Sequence, residues 1–400
     1  MEKKIVILKE EQGSWTYILE NDEIVEIHYD ESSENKSSHQ VGNIAIGKVK
    51  KIVKNIGAAF VEIEPGLECY YDLSEAQSAI FTTKVGKKPL CVADELIVQV
   101  VKEGVRTKAP TVTSNISFTG YYTVLTTGNT RIGVSTKIPK KKREELKEFL
   151  GQYQNEEYGL ILRTNGEDAP LQGIQEEIEG QIRALEDLKR KATMRTCFSV
   201  LQKNPPGYIS HIRNVGRKGL SKILVNDQEF YDEICDFYAS HPTDEIPVIQ
   251  LEEENTSLAS VFNTRKVLER ALNEKVWLKN GAYLVIQPTE ALTVIDVNSG
   301  KYEKKESDRE AALKINLVAA GEIAKQLRLR NISGIIIVDF INMEDKEDTL
   351  ALVKELKCHL TKDSVPTTFV GVTQLQLVEL TRKKIRKPLA ETLTLLGKKV

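Results

Sequence analysis

Apolar and polar positions change their rhythm several times along this chain. Residues 3–9, 14–20 and 23–29 carry short apolar runs that predict strands, with Asn21-Asp22 as the hairpin turn between the last two. The stretch ESSENKSSHQ, 31–40, is polar, Ser-rich and free of apolar periodicity, which predicts a linker. NIAIGKVKKIVK, GAAFVEI, ECYYDL and DELIVQVVKE then follow as β-rich pieces parted by Gly and Pro, at the spacing of a small barrel. A second β-rich stretch covers about 115–135, followed by a charged helix at 141–150. The strand GLILRT leads into a longer helix expected over 172–203. In the C-terminal third, strands YLVIQ and LTVIDV, a helix, the strand GIIIVDF, a second helix and TTFVGVT alternate as in an α/β layer.

The clearest predicted element is the helix from Ser307 to Arg330. Ser307 and Glu310 have capping-box spacing, which satisfies two orphan amides at its start. Ala312, Ile315, Ala319, Ile323 and Leu327 recur at steps of three and four and predict one buried stripe. Arg328 and Arg330 place basic charge where the helix dipole favours it. The helix joins two apolar strands, each with an acid at its end. In LTVIDVNSGKY that acid is Asp296; in SGIIIVDFINM it is Asp339, after an apolar run that predicts a strand buried on both faces. Asp-x-Asn-Ser-Gly is also good turn chemistry, so a local turn is one reading of Asp296. The other is convergence. If the strands are neighbours, two carboxylates approach closely and either share a proton or hold a cation, and an oxygen-rich pair suits Mg²⁺. Asn298 would then point to the same face as Asp296 and could donate to a substrate oxyanion.

Bulk composition narrows the class without choosing between these readings. The 400 residues suggest two to four domains, and 40% hydrophobic with 28% charged residues suits a soluble globular protein. No apolar run predicts a signal peptide or membrane span, and five scattered cysteines (Cys69, Cys91, Cys197, Cys235, Cys358) fit reduced thiols in a cytoplasmic protein. A net charge of −2 means that any nucleic-acid site must come from local patches. Lys48, Lys50, Lys51 and Lys54 form one such patch and TRKKIRK, 381–387, another. Each reads either as a solvated face or as a set of phosphate contacts.

The strings PTEALTVIDVNSGKY, KINLVAAGEIAKQLRLRNISGIIIVDFINM and LVELTRKKIRKPL resemble the catalytic region of the RNase E/G family of bacterial single-strand-specific endoribonucleases. AIGKVKKIVKNIGAAFVEIEPGLECYYDL resembles that family's S1-type OB-fold, and GLILRT its segment for sensing an RNA 5′ end. The resemblance implies a mixed α+β and α/β multidomain fold. Residues 1–38 with 205–272 would form an RNase H-like domain, 39–112 the OB-fold barrel, 113–204 the 5′ sensor, and 273–400 a DNase I-like catalytic domain. It implies Asp296 and Asp339 as ligands of a catalytic Mg²⁺, with Asn298 positioning the scissile phosphate. Products would carry a 5′-phosphate and a 3′-hydroxyl. Phe60 and Tyr70 match stacking aromatics, although Phe60 inside GAAFVEI also reads as core. Lys108 matches a lysine close to the cleavage site, in a stretch that diverges around it. Arg163 and Thr164 match the pair that binds a 5′-monophosphate.

Three departures stand out. Asn342 replaces an acid common in the family, which lowers the negative charge beside Asp339, and Gln376 stands where Gly is common. The cysteine pair of the family's zinc clasp has no counterpart, so any homodimer is expected to form without zinc. The expected activity is Mg²⁺-dependent cleavage of single-stranded RNA, with 5′-monophosphorylated RNA preferred. Rival readings are a catalytically weak S1-domain RNA-binding protein, and a Mg²⁺-dependent phosphatase or DNA nuclease using the same acids.

Overall fold

The computed structural model describes residues 2–31, 40–84, 89–102, 104, 109–216, 218–239, 246–253, 257–302 and 307–397. Most of the expected linker 31–40, and Lys108, lie outside the described residues. The chain divides into two compact units, Met1–Asp30 with Arg217–Val400, and Glu31–Gly216.

In the Glu31–Gly216 unit, strands Ile44–Val53, Ala58–Glu64, Leu67–Asp72, Thr111–Thr113 and Glu95–Lys102 follow one another in a ring. Pairing of the last with the first closes a five-strand barrel consistent with an OB-fold. Val61, Ile63, Cys69, Tyr71, Leu96 and Val98 fill its interior, and the Tyr71 hydroxyl meets the Ser114 Oγ at 2.8 Å. Gly47 is required there, because a Cβ would come within 2.5 Å of Val61 Cγ1. A second sheet, ordered Ile132–Val134, Gly159–Leu162, Thr123–Thr126, Ser117–Thr119, packs with helices Lys140–Gly151 and Leu171–Met194. The long helix is shorter than its expected span of 172–203. It stops at Met194, and Val200–Gln202 pairs as a strand with Ile44–Val53 instead, the chain turning through Phe198 at a φ of 69°.

The other unit holds two sheets. The first runs Val248–Leu251, Leu220–Val225, Lys3–Glu10, Gly13–Glu20, Glu23–Glu31. Its hairpin turns at Asn21 and Asp22, both in the left-handed region (φ of 48° and 64°), as a two-residue turn of this kind demands. The second runs Lys275–Trp277, Tyr283–Pro288, Leu292–Asn298, Gly334–Asp339, Val378–Arg382, Thr367–Val372. Its one parallel pair is Leu292–Asn298 with Gly334–Asp339, joined through helix Asp308–Leu329. Ser307 caps that helix by accepting from the Glu310 amide; the whole expected stripe is buried, and Ile315, Ala319, Ile323 and Leu327 of it share one core with Leu284, Ile295, Val297, Ile336 and Val338.

The expectation that the Gly334–Asp339 strand is buried on both faces fails. Ile336 and Val338 are buried under the helices, while Ile335 and Asp339 on the opposite face are exposed. Helices Asp308–Leu329 and Lys346–Leu360 cover one side of the sheet. The basic end of the first also does more than answer its dipole. Arg328 is buried, and its Nη2 and Nε donate to Glu20 at 2.7 Å and Glu26 at 2.8 Å, tying the helix to the first sheet. Burial alone would raise the Glu26 carboxyl, but His28 and Arg328 beside it bring it down to about 2.

Candidate active site

Asp296 and Asp339 are register partners on the parallel pair. Neighbouring strands lie about 4.8 Å apart, so the two carboxylates stand side by side at the carboxyl ends of their strands, where open α/β sheets place ligands. Both are exposed on the open face, and among the described residues neither forms an ion pair. Asn298 shares the face of Asp296 because strand side chains alternate, and its Nδ2 donates to Asp296 Oδ2 at 2.7 Å. Asp296 is thus held by a side-chain amide, and the turn begins only beyond Asn298. There Gly300 adopts a φ of 54°, and a Cβ would meet the Gly281 carbonyl oxygen at 2.7 Å.

Two carboxylates on adjacent strand ends, neither paired with a cationic side chain among the described residues, offer negative charge to a bound cation. Mg²⁺ accepts one or two protein carboxylates and fills its remaining positions with water and phosphate oxygens, so this donor set fits it. Among the described residues no cluster of three or more His, Cys, Asp or Glu forms a protein-only metal cage. Asn342 is exposed just beyond Asp339. Gln376 is also exposed, with a φ of 63°, which accounts for Gly as the easier residue at that position.

Sequence reasoning passed over Asn316. It sits fully buried in the helix behind the sheet, where its Nδ2 donates to the Ile341 carbonyl at 2.7 Å and its Oδ1 accepts the Ile341 amide at 3.0 Å. This two-way clamp fixes the chain just after Asp339. A polar residue beside an otherwise apolar stripe was the available signal.

In the barrel, Phe60 and Tyr70 are register partners, and Lys51 pairs with Phe60 on the other side. Val61, Cys69 and Tyr71 alternate inward, leaving Phe60 and Tyr70 half-buried on the outer surface in one row with exposed Lys51. The core reading of Phe60 is therefore set aside. Lys50 is engaged by Glu62 at 3.1 Å. In TRKKIRK the bases divide. Arg382 is buried against Asp363 and Arg386 lies 3.5 Å from Asp30, whereas Lys383 and Lys384 are exposed.

Arg163 ends the Gly159–Leu162 strand half-buried, its Nη1 donating to the Gly120 carbonyl at 2.8 Å and its Nη2 to Asn214 Oδ1 at 2.7 Å. Each terminal nitrogen keeps a second hydrogen. Thr164 is exposed, with its hydroxyl 2.9 Å from Ser135 Oγ. Arg213 reaches the adjacent Thr119 carbonyl, and burial together with the Arg163 charge lowers its guanidinium to about 10. Among the described residues no helix is long and apolar enough to cross a membrane.

The chain is 32% identical over 392 residues to a Ribonuclease E from Synechocystis sp., covering 96% of this chain and 57% of that relative's length. It is 30% identical to a Ribonuclease G from Salmonella typhimurium, covering 88% of this chain and 74% of the relative. A Ribonuclease E/G-like protein from Porphyra purpurea is 32% identical, with 88% and 70% covered. A family model described as the Ribonuclease E/G family matches residues 117–385, which include Asp296, Asn298 and Asp339, and with this match over more than half its length the chain belongs to the Ribonuclease E/G family.

Proposed function

We propose that this chain is a Mg²⁺-dependent endoribonuclease of RNA processing, cutting single-stranded RNA to leave a 5′-phosphate and a 3′-hydroxyl. The observation that carries the reading is the register pairing of Asp296 with Asp339, two unpaired acids on one open face of a Ribonuclease E/G family member. Mg²⁺ bound by them would neutralise charge on the scissile phosphate and ease deprotonation of the attacking water. Asp296 and Asp339 would hold that ion in place. Asn298, already fixed on Asp296, keeps a second Nδ2 hydrogen for a phosphate oxygen. In the same reading the sheet that carries the acids is DNase I-like, and the sheet containing Lys3–Glu10 is RNase H-like.

Substrate capture is read from the other unit. Phe60 and Tyr70 offer π-faces to successive bases, with Lys51 beside them for phosphate. Phe60→Ala or Tyr70→Ala is expected to weaken binding of single-stranded RNA by about 1–3 kcal/mol, measured by anisotropy of a labelled oligonucleotide in chelator. Unchanged affinity in both variants would remove the stacking assignment.

Arg163 and Thr164 are read as the 5′-monophosphate contact, through charge-assisted hydrogen bonds. Incubated with Mg²⁺, the protein should cut a 5′-monophosphorylated single-stranded RNA, and chelator should stop it. The same RNA with a 5′-hydroxyl should be cut more slowly, and Arg163→Ala should bring the ratio of the two rates to within about twofold of one, consistent with loss of a contact worth ~1.5–3 kcal/mol. Absence of any Mg²⁺-dependent cut would overturn the nuclease reading. Equal rates in the parent protein would overturn only the sensor.

A further inference from the structure

The open face beside the acids carries a second group of side chains. Lys275–Trp277 is the edge strand of the sheet, and its registers run straight to the site. Trp277 pairs with Tyr283, which pairs with Asn298; Lys275 pairs with Val285, which pairs with Asp296. Register partners share a face, so Trp277 and Tyr283 stand in the row of Asn298, and Lys275 in the row of the two acids. Leu284 and Ile286 point to the opposite, buried side. The two rings meet at 5.2 Å between centroids with an interplanar angle of 57°. Lys275 Nζ lies 3.6 Å from the Tyr283 centroid and 4.4 Å from that of Trp277. Trp277 is 54% exposed, although an indole is among the most costly side chains to leave in water.

A cross-strand aromatic pair with a lysine over it can serve only to stabilise a hairpin. That role does not require the indole to remain half in solvent. Nor does it place the pair in the row of a phosphate-positioning amide, with Tyr283 on the strand next to the one that carries both Asn298 and Asp296. An exposed π-face next to a cation is what single-stranded nucleic acid uses, a base on the ring and a phosphate on the charge.

We propose that Trp277 and Tyr283, with Lys275, form a base-stacking subsite that seats a nucleotide of single-stranded RNA next to the scissile phosphate. The proposal rests on the nuclease reading of the acids and adds a contact on the sheet itself, distinct from the barrel aromatics. One strand spacing between Tyr283 and Asn298 is of the order of a single nucleotide, so the stacked base belongs to a neighbour of the cleaved bond. Stacking is indifferent to base identity, so the subsite holds the strand in place without reading sequence.

The chain supplies its own reporter. It has two tryptophans, and Trp15 is 0% exposed in the core of the other sheet, so a change of emission on RNA binding reports on Trp277. With chelator present, a single-stranded oligonucleotide is titrated while binding is followed independently by anisotropy of its label. The expected result is quenching that saturates with the anisotropy and persists in Trp15→Phe. Trp277→Leu, which keeps an apolar cross-strand contact, should bind about tenfold more weakly, and Trp277→Phe should recover most of that loss. Binding without quenching, or parental affinity in Trp277→Leu, would overturn the subsite and leave the nuclease reading standing. No RNA binding by anisotropy at all would overturn the reading on which the subsite rests. Equal weakening in the Leu and Phe variants would assign Trp277 to packing and also overturn the proposal.

Discussion

Asp339→Asn is expected to slow Mg²⁺-dependent RNA cleavage by about a thousandfold, a barrier increase of ~4 kcal/mol, and Asp296→Asn by a similar factor. The substitution keeps the shape of the side chain and removes one of two charges that stand together at adjacent strand ends. Retaining one carboxylate leaves a weaker site, so part of the loss should be recovered by raising Mg²⁺. RNA affinity measured in chelator should hold or rise, since each variant deletes a negative charge beside a polyanion. Single-turnover rates over a Mg²⁺ series check this. Cleavage within threefold of the parent in either variant would show that the pair does not carry the chemistry.

The second large effect concerns stability. Asp363 and Arg382 are 3% and 4% exposed, joined through Nε–Oδ2 at 2.7 Å and Nη2–Oδ1 at 3.3 Å. Asp363 also accepts the Val365 amide and the Thr367 hydroxyl, both at 2.9 Å, and Arg382 Nη1 donates to Asn331 Oδ1 at 2.8 Å and the Ile332 carbonyl at 3.1 Å. Asp363→Ala leaves a buried guanidinium without its counter-charge and should cost about 3–5 kcal/mol. Arg382→Met should cost a comparable amount. The double variant Asp363→Ala with Arg382→Met should lose far less than the sum, because no uncompensated charge remains. Denaturant titration of the four proteins checks the coupling. Additive losses would mean that the pair is not energetically linked.

Arg382 also shows where reading the chain as a string fails. In TRKKIRK it is one base among five, indistinguishable from Lys383 or Lys384. Burial depends on which face of the Val378–Arg382 strand meets the core and on an Asp that lies 19 residues away. Arg328 behaves likewise. Its place near a helix C-terminus predicts a dipole partner, yet its acids, Glu20 and Glu26, come from a sheet about three hundred residues away in the chain. Asn316 was hidden for a related reason. Helical periodicity reports what is apolar, and Asn316 works through a backbone segment brought to it only by packing.

What the sequence determined by itself was local or carried by long motif strings. Asn21-Asp22 made its turn because both residues tolerate positive φ, and Ser307 opened its helix because its hydroxyl reaches an orphan amide. Alternation placed Asp296 and Asn298 on one face, and the motif strings pointed to the family. What only the tertiary structure decided was which residues are neighbours across strands. Register brought Asp296 beside Asp339, Phe60 beside Tyr70, and Trp277 and Tyr283 into the row of Asn298. A shift of one residue in any of those pairings would turn every side chain of the strand to the other face, and register is set by the connecting turns and by which face meets the core, not by one strand alone. The same holds for the open face of the catalytic sheet. An apolar run such as Gly-Ile-Ile-Ile-Val is compatible with burial on both sides, and it is the helices packing on only one of them that leaves the acids in water.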